Sequence, residues 1–352
     1  MKKGRWNMAE QTMRELVKKT LSLEKTGHIP VILTAAAFAA AQSQCTAEEY
    51  ANNPKVYVKA NIETRRKFGY DANITQVFQG VVEEMGKGLI DRSGKVSVNG
   101  ERTVLTEKDI DKLHPYNINE CESLQKIIQQ VKLFRQSDPD YPIMVIADNP
   151  SMSVAALMDG ANFYLSLIKN KNFIHRVTEL LIDPIAESIE RIVAAGCDII
   201  WLPMPTLGGT CMSKKHYVEM CLPYNKRFIQ RLKKTGASII LHTCGNWNDR
   251  FDVATEEGAD GLHVSEADLG YLKKEYGSKV ALMGQVPAAF TMLMKTAEEV
   301  YQEGLEQCLT AAENGGFILS ADCGLPGNVP PENIHALIRA ARDAEKILGG
   351  NC

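Results

Sequence analysis

Short apolar runs alternating with helical stretches constrain this chain more than any other feature. A helical pattern over residues 8–24 sets Met13, Leu16, Val17 and Leu21 along one side. Pro30-Val31-Ile32-Leu33 follows as a first strand ending at Thr34. Residues 46–67 predict the next helix, opened by Thr46 with Glu48 and Glu49 in its first turn, and Ala72 to Phe78 a second strand. Helices over about 107–113 and 121–135 precede a third strand, Ile143 to Ala147. Helical patterns at 151–169 and 172–195 lead to a fourth, Asp198 to Leu202, and helix 213–235 to a fifth, which carries His242. Gly261 to Val264 is a sixth strand, followed by helix 268–276 and a seventh strand, Lys279 to Met283. Helix 296–314 precedes the eighth, which carries Cys323, and Pro331 opens a final helix to Leu348. Strands separated by helices pair in parallel. Eight such units predict an α/β fold, a (β/α)8 barrel over residues 1–352 as a single domain with an N-terminal helical extension. One stretch breaks the rhythm. Between Gly80 and Val104, turn signals at Ser93-Gly94 and Asn99-Gly100 predict a small antiparallel hairpin insertion.

Composition narrows the partners. Hydrophobic residues make up 45% of the chain, charged residues 24%, and the formal charge is −3. Such a balance excludes nucleic acid as a main partner, because binding phosphates needs a basic surplus. The longest apolar stretch, Ile29 to Ala41, is too short to span a bilayer, so no membrane segment is expected. Nine cysteines are scattered without the dense framework of small secreted domains, which predicts free thiols and a cytoplasmic location. Most have no ligand-like spacing.

Two strand ends depart from that pattern. Ile239, Ile240 and Leu241 run into His242-Thr-Cys244-Gly245, and Phe317, Ile318 and Leu319 run into Ser320-Ala-Asp-Cys323-Gly324. Side chains alternate along an extended chain, so His242 and Cys244 point the same way. An imidazole nitrogen and a thiolate can then grip one ion, with Cys323 as a third donor. Three protein ligands on Zn²⁺ leave one position open, the arrangement of a catalytic site. Spacing alone leaves open the alternative of a buried histidine and two unrelated cysteines. Other polar residues fall at predicted strand ends as well: Thr34, Gln76, Asp148-Asn149, Met204, Ser265-Glu266 and Gln285.

Leu241-His-Thr-Cys-Gly245, Gly284-Gln-Val-Pro287 and Gly316-Phe-Ile-Leu-Ser-Ala-Asp-Cys-Gly324 resemble the uroporphyrinogen decarboxylase superfamily. Within it, the His-x-Cys…Cys set resembles the methylcobamide:coenzyme M methyltransferase branch, which includes the methanol- and methylamine-pathway enzymes and the chloromethane methyltransferase domain. The resemblance implies a barrel fold and zinc held by His242, Cys244 and Cys323; Glu266, just past the sixth strand, is read from its position as a reserve zinc ligand or an acceptor orienting His242. It implies a methylcobamide on a corrinoid protein as methyl donor and a small thiol such as coenzyme M as acceptor. Thr34, Ala36, Gln76 and Met204 are the expected corrinoid contacts, and a homodimer is compatible with it. A tetrapyrrole with many carboxylates needs arginines, since guanidinium groups bind carboxylates in pairs of hydrogen bonds. The decarboxylases carry an arginine-rich segment after the first strand; here Thr34-Ala-Ala-Ala-Phe-Ala-Ala-Ala-Gln42 has no positive charge.

The expected function is therefore zinc-dependent methyl transfer from methylcob(III)amide to a thiol. Two alternatives stay open: a corrinoid-dependent demethylase acting on a methylated substrate or tetrahydrofolate, and a non-enzymatic barrel that carries a corrinoid or tetrapyrrole. Several residues have simpler readings. Asp268 suits the N-cap of helix 268–276, Asp148-Asn149-Pro150 a turn, and Gly208-Gly209-Thr210 an ordinary loop. His263 alternates with apolar strand residues, as a satisfied interior histidine does.

Overall fold

A computed structural model of the chain describes residues 11–87, 106–158 and 160–349. Seven short buried runs form a parallel sheet in strict sequence order. They are β1 (Asn73–Ile74), β2 (Ile143–Ile146), β3 (Ile199–Pro203), β4 (Ser238–Thr243), β5 (Gly261–Val264), β6 (Ala281–Val286) and β7 (Phe317–Ala321). Segment 30–34 stands where an eighth strand belongs. Its Ile32 N–H donates to Leu319 O at 3.1 Å, Leu319 N–H donates to Pro30 O at 2.9 Å, and Asp71 N–H donates to Val31 O at 2.7 Å. One segment thus bonds to β7 on one side and to Asp71, two residues before β1, on the other, joining the two edges of a curled sheet. Most of this first strand lacks a regular ladder, and so does the second. Between Thr75 and Phe78, whose N–H groups donate to Met144 and Ile146, the Gln76 N–H donates to the Gln130 side chain at 3.1 Å instead.

The helices start and stop where local chemistry dictates. The first two are α1 (Met13–Leu21) and α2 (Ala36–Gln42). Thr12 and Glu15 close a capping box on α1. The alanine run in α2 has the best helix propensity of any residue but no polar face, so its periodicity is invisible. The predicted helix 46–67 is two, α3 (Ala47–Asn52) and α4 (Pro54–Phe68), because Asn53 caps the second and Pro54 can only open a helix. Gly80–Gly86 is α5, not a strand, which corrects the antiparallel reading there. The proposed turns at Ser93-Gly94 and Asn99-Gly100 lie outside the described residues, and every strand pair among those described is parallel. Residues 107–112 form a 3₁₀ turn, followed by α6 (Glu122–Ser137), α7 (Pro150–Leu157), α8 (Gly160–Lys169) and α9 (Lys171–Ala194). Predicted helix 213–235 also divides, into α10 (Lys214–Met220) and α11 (Leu222–Lys233), at Cys221 just before Pro223. After α12 (Phe251–Ala254) come α13 (Leu269–Tyr276), α14 (Ala297–Ala311) and α15 (Pro331–Gly349).

Alternation along the strands builds two cores. Outward residues such as Ile239, Leu241, Leu262 and Leu282 pack under the helices. Inward residues Ile32, Ile74, Met144, Trp201, Ile240, Met283 and Ile318 fill the sheet's interior, and Val17 and Leu21 of α1 pack against them from below. Gly261 makes room for that plug: a Cβ there would lie 3.1 Å from Leu21.

Beside β1, Asp138 gathers three partners. Arg65 donates from Nε at 3.0 Å, Arg66 from Nη2 at 3.1 Å and Asn73 from Nδ2 at 2.8 Å, with Arg65 only 3% exposed. Asp138→Leu should strand the buried Arg65 guanidinium and lower stability by about 3–5 kcal/mol. A urea titration should show the midpoint falling with the slope unchanged; a loss under about 1 kcal/mol would refute this account of the pair.

Candidate metal centre

Register decides which side chains meet at the sheet's C-terminal edge. His242 on β4 stands opposite Pro203 on β3 and His263 on β5. It continues the inward series begun by Ile240. The strand ends at Thr243, and Gly245, at φ +76°, turns the chain in a conformation that favours glycine, leaving Cys244 at the rim. Cys323 lies two residues past the end of β7. His242 is buried, Cys244 half-buried and Cys323 exposed. One donor atom from each lies within 4.8 Å of the others, the only such group of His, Cys, Asp or Glu donors among the described residues.

Hydrogen-bond geometry sets the state of the imidazole. His242 Nδ1 faces the carbonyl of His263 at 3.3 Å, and a carbonyl can only accept, so Nδ1 carries the proton. Nε2 is left with its lone pair, buried and without a partner in the protein. The Cys323 thiol is held far below the usual thiol range, chiefly by a hydrogen bond from Cys244. The same contact, with burial, pushes Cys244 up. A bare imidazole nitrogen beside two cysteine sulfurs, both of which would be thiolates once a metal binds, fits a tetrahedral Zn²⁺ with a fourth position free.

Neighbouring groups hold the three donors in place. Trp247 Nε1 donates to the Cys244 carbonyl at 3.1 Å, and Gly245 N–H donates to Ser265 Oγ at 2.9 Å. Thr34 Oγ1 donates to the Cys323 carbonyl at 2.9 Å. Thr34 therefore positions a candidate ligand through its backbone. Loop 204–212 is tied down as well: Gly209 N–H donates to Asn246 O, and a Cβ on Gly208 would lie 3.1 Å from Trp247 Nε1. Arg250 is wholly buried, donating from Nη1 to Leu207 O at 2.8 Å and from Nη2 to Met212 O at 2.7 Å.

The other candidates are placed as follows. Ala36, in the first turn of α2, is half-buried, with Ala37 and Ala41 exposed on the same helix. Gln76 is fully engaged, exchanging bonds with Gln130 and donating to Ala51 O. Met204 is buried against Asn225. Glu266 is exposed at φ +46°, its carbonyl accepting from Asn248, and its carboxylate stands outside the donor group. The acceptor that orients His242 is the His263 carbonyl. Asp268 caps α13, and Asn149 caps α7 while also bonding Pro203 O. Asp322 accepts from Ala288 N–H at 2.7 Å. Burial pushes Asp148 up to about 7, with Gln79 as its partner at 3.4 Å. Sequence reasoning passed over Trp201, Trp247 and Arg250. Trp201 sits in an apolar run with no mark of its own, whereas the cluster Asn246-Trp-Asn-Asp-Arg250 just past the cysteine was a usable signal.

Arg250→Met should release loop 204–212 from the loop that carries Cys244. Hydrogen exchange there should quicken while β5 and β6 stay protected. Uniform exchange across all these segments would show that Arg250 does not act as the tie.

The model of the family described as uroporphyrinogen decarboxylase matches residues 12–344. A methylcobamide:CoM methyltransferase of Methanosarcina barkeri is 27% identical over 237 residues, 65% of this chain and 66% of that protein, so the match spans just under two thirds of the relative's length. A uroporphyrinogen decarboxylase of Legionella pneumophila is 26% identical over 310 residues, 83% of this chain and 84% of that protein. Among solved structures, a methyltransferase from Methanosarcina mazei superposes with a TM-score of 0.79 at 21% identity, covering 95% of this chain and 99% of the other, and so shares the fold. The chain belongs to the uroporphyrinogen decarboxylase family, and within it is similar to the methylcobamide:CoM methyltransferases.

Proposed function

We propose that the protein is a zinc-dependent methyltransferase, moving a methyl group from methylcob(III)amide on a corrinoid protein to a small thiol such as 2-mercaptoethanesulfonate. The observation that carries this reading is the partnerless Nε2 of His242 beside Cys244 and Cys323 at the sheet's C-terminal edge. Burying an unsatisfied nitrogen costs about 1–3 kcal/mol, which a structural histidine would avoid. The similarity to methylcobamide:CoM methyltransferases supports the donor and acceptor classes. Decarboxylation of a polycarboxylate fits poorly, because α2 and its flanks offer no cation and Arg250 is occupied by loop carbonyls. The exposed alanines beside Ala36 offer the corrin an apolar face, while Gln76 and Met204 are engaged elsewhere.

The reaction balances without a general base in the pocket. A lone pair on the substrate sulfur attacks the methyl carbon, the cobalt–carbon pair stays on cobalt as cob(I)amide, and the thiol proton leaves to solvent. An alkyl thiol has a pKa near 8.5, so only a few per cent is thiolate at neutral pH. Bound Zn²⁺ would supply the Lewis acidity that keeps the substrate sulfur deprotonated. The protein holds three donors at the rim, fixes His242 with its lone pair available, and leaves Cys323 accessible to solvent.

Metal analysis should find one zinc per chain, lost or much weakened in Cys244→Ala and in Cys323→Ala. Full occupancy in both variants would refute the ligand assignment. Binding of 2-mercaptoethanesulfonate to the zinc-loaded protein should release close to one proton at pH 7, counted by calorimetry in buffers of different ionisation enthalpy. Tetrahydrofolate, the control without a thiol, should release none. Methylation of tetrahydrofolate with no thiol binding would reverse the acceptor assignment.

A further inference from the structure

Two aromatic rings lie against His242. The indole of Trp201 on β3 stacks on its imidazole with centroids 4.5 Å apart and planes 18° apart. The ring of His263 on β5 lies 4.5 Å away at 34°. These two rings also bond to each other, Trp201 Nε1 donating to His263 Nδ1 at 3.1 Å. On its far side His263 Nε2 meets the Ala321 carbonyl at 2.7 Å. An indole N–H can only donate and a carbonyl can only accept, so His263 has a single workable state: Nδ1 bare and Nε2 protonated. Every ring nitrogen of the Trp201–His263 pair is then satisfied, and both rings are fully or nearly fully buried.

This chain of bonds runs from β3 through β5 to β7, passing over β4 and β6. It ends on Ala321, two residues before Cys323. At the same time the His263 backbone carbonyl accepts from His242 Nδ1 at 3.3 Å and from Thr243 Oγ1 at 3.1 Å. One residue thus touches both halves of the donor cluster, through its side chain on the Cys323 strand and through its backbone on the His242 strand.

We infer that Trp201 and His263 are positioning residues whose side chains fix the ring plane of His242 and its distance from Cys323, and so set the affinity of the centre for Zn²⁺. The inference rests on the metal reading above. Neither residue reaches the open side of the cluster, so both act through His242 and the β7 strand. Partners of this kind, one bond removed from the metal, commonly change metal affinity by about 10–100-fold when removed.

The test compares wild type, His263→Phe and Trp201→Phe by chelator competition for zinc, with nitrogen-15 histidine NMR of the metal-free protein. His263→Phe keeps a ring against His242 but removes both side-chain bonds, and should weaken zinc binding by about 10–100-fold. Trp201→Phe keeps the stack and removes only the N–H donor, so it should shift affinity the same way by less. It also serves if His263→Phe does not fold. In wild type, NMR should place the proton of His242 on Nδ1 and that of His263 on Nε2; the His263 backbone carbonyl remains in both variants, so His242 should keep its proton on Nδ1 while the loosened ring shifts and broadens its Nε2 signal. A merely structural role would lower melting temperature without moving either readout. Wild type that takes up no zinc would overturn the metal reading and this inference with it. Tight zinc binding, equal in wild type and folded variants, would overturn this inference alone.

Discussion

The candidate centre exists only because the sheet curls far enough for the end of β4 to face the end of β7. His242 and Cys323 are distant in sequence and separated in the sheet by β5 and β6. Two sets of contacts maintain that curl. At the seam, Leu319 exchanges strand-like bonds with Pro30 and Ile32 of segment 30–34, and Val31 N–H donates to Asp71 Oδ2 at 2.8 Å. In the interior, alternating inward residues fill the space with side chains from almost every strand, so flattening the sheet would open a void. A short parallel strand has few bonds of its own. Packing on both faces is what makes it stable.

Charged groups are divided between the two poles of the molecule. Below the strands, His28, Asp71, Arg342 and Glu345 form a network that fastens the start of the first strand to α15. Burial lowers the pKa of His28, but hydrogen bonds with Asp71 and Glu345 outweigh it and the net shift is upward. At the opposite pole the groups that contact the three donors are mostly neutral or sulfur-bearing, with Arg250 and Asp322 as charged neighbours, and their bonds run mostly to backbone carbonyls at strand ends. That division follows from chain direction. Loops after parallel strands converge at one end, where a site can vary without disturbing the end that fastens the barrel.

The strand–helix order, the C-terminal placement of the polar residues and the three donors were legible because each has a local signature. A period of two, a period of 3.6, a capping Thr or Asp, and a His-x-Cys at a strand's end can be read within a few residues. Helices that split at Asn53-Pro54 and at Cys221 were joined because hydrophobic periodicity continues across a break that only the backbone registers. The segment Gly80–Gly86 differs for another reason, since the turn signals at Ser93-Gly94 and Asn99-Gly100 suggest hairpin strands from Gly80 onward and only packing decides for a helix. The position of Thr34 at a strand end is visible in the sequence, whereas the bond from its hydroxyl to the Cys323 carbonyl is visible only in the structure. Trp201 was out of reach. Nothing near it in sequence says that its N–H will meet a histidine on a strand two places away.

His242 and His263 show how one position along neighbouring strands yields two kinds of histidine. They stand opposite each other in register and both face inward. His263 has a partner for each nitrogen, so it is settled, and its pKa is pushed well below the ordinary value by burial, with the neighbouring His242 adding to it. His242 has one partner, a carbonyl that takes the proton, and nothing at Nε2. A folded chain tolerates such a gap only where neighbouring contacts over-determine the side chain, and the indole stack and the carbonyl bond do so here. The unsatisfied nitrogen is held because its surroundings are complete everywhere except toward the two cysteines. Direction, more than the identity of the residue, sets this histidine apart from His263 as the candidate for a ligand.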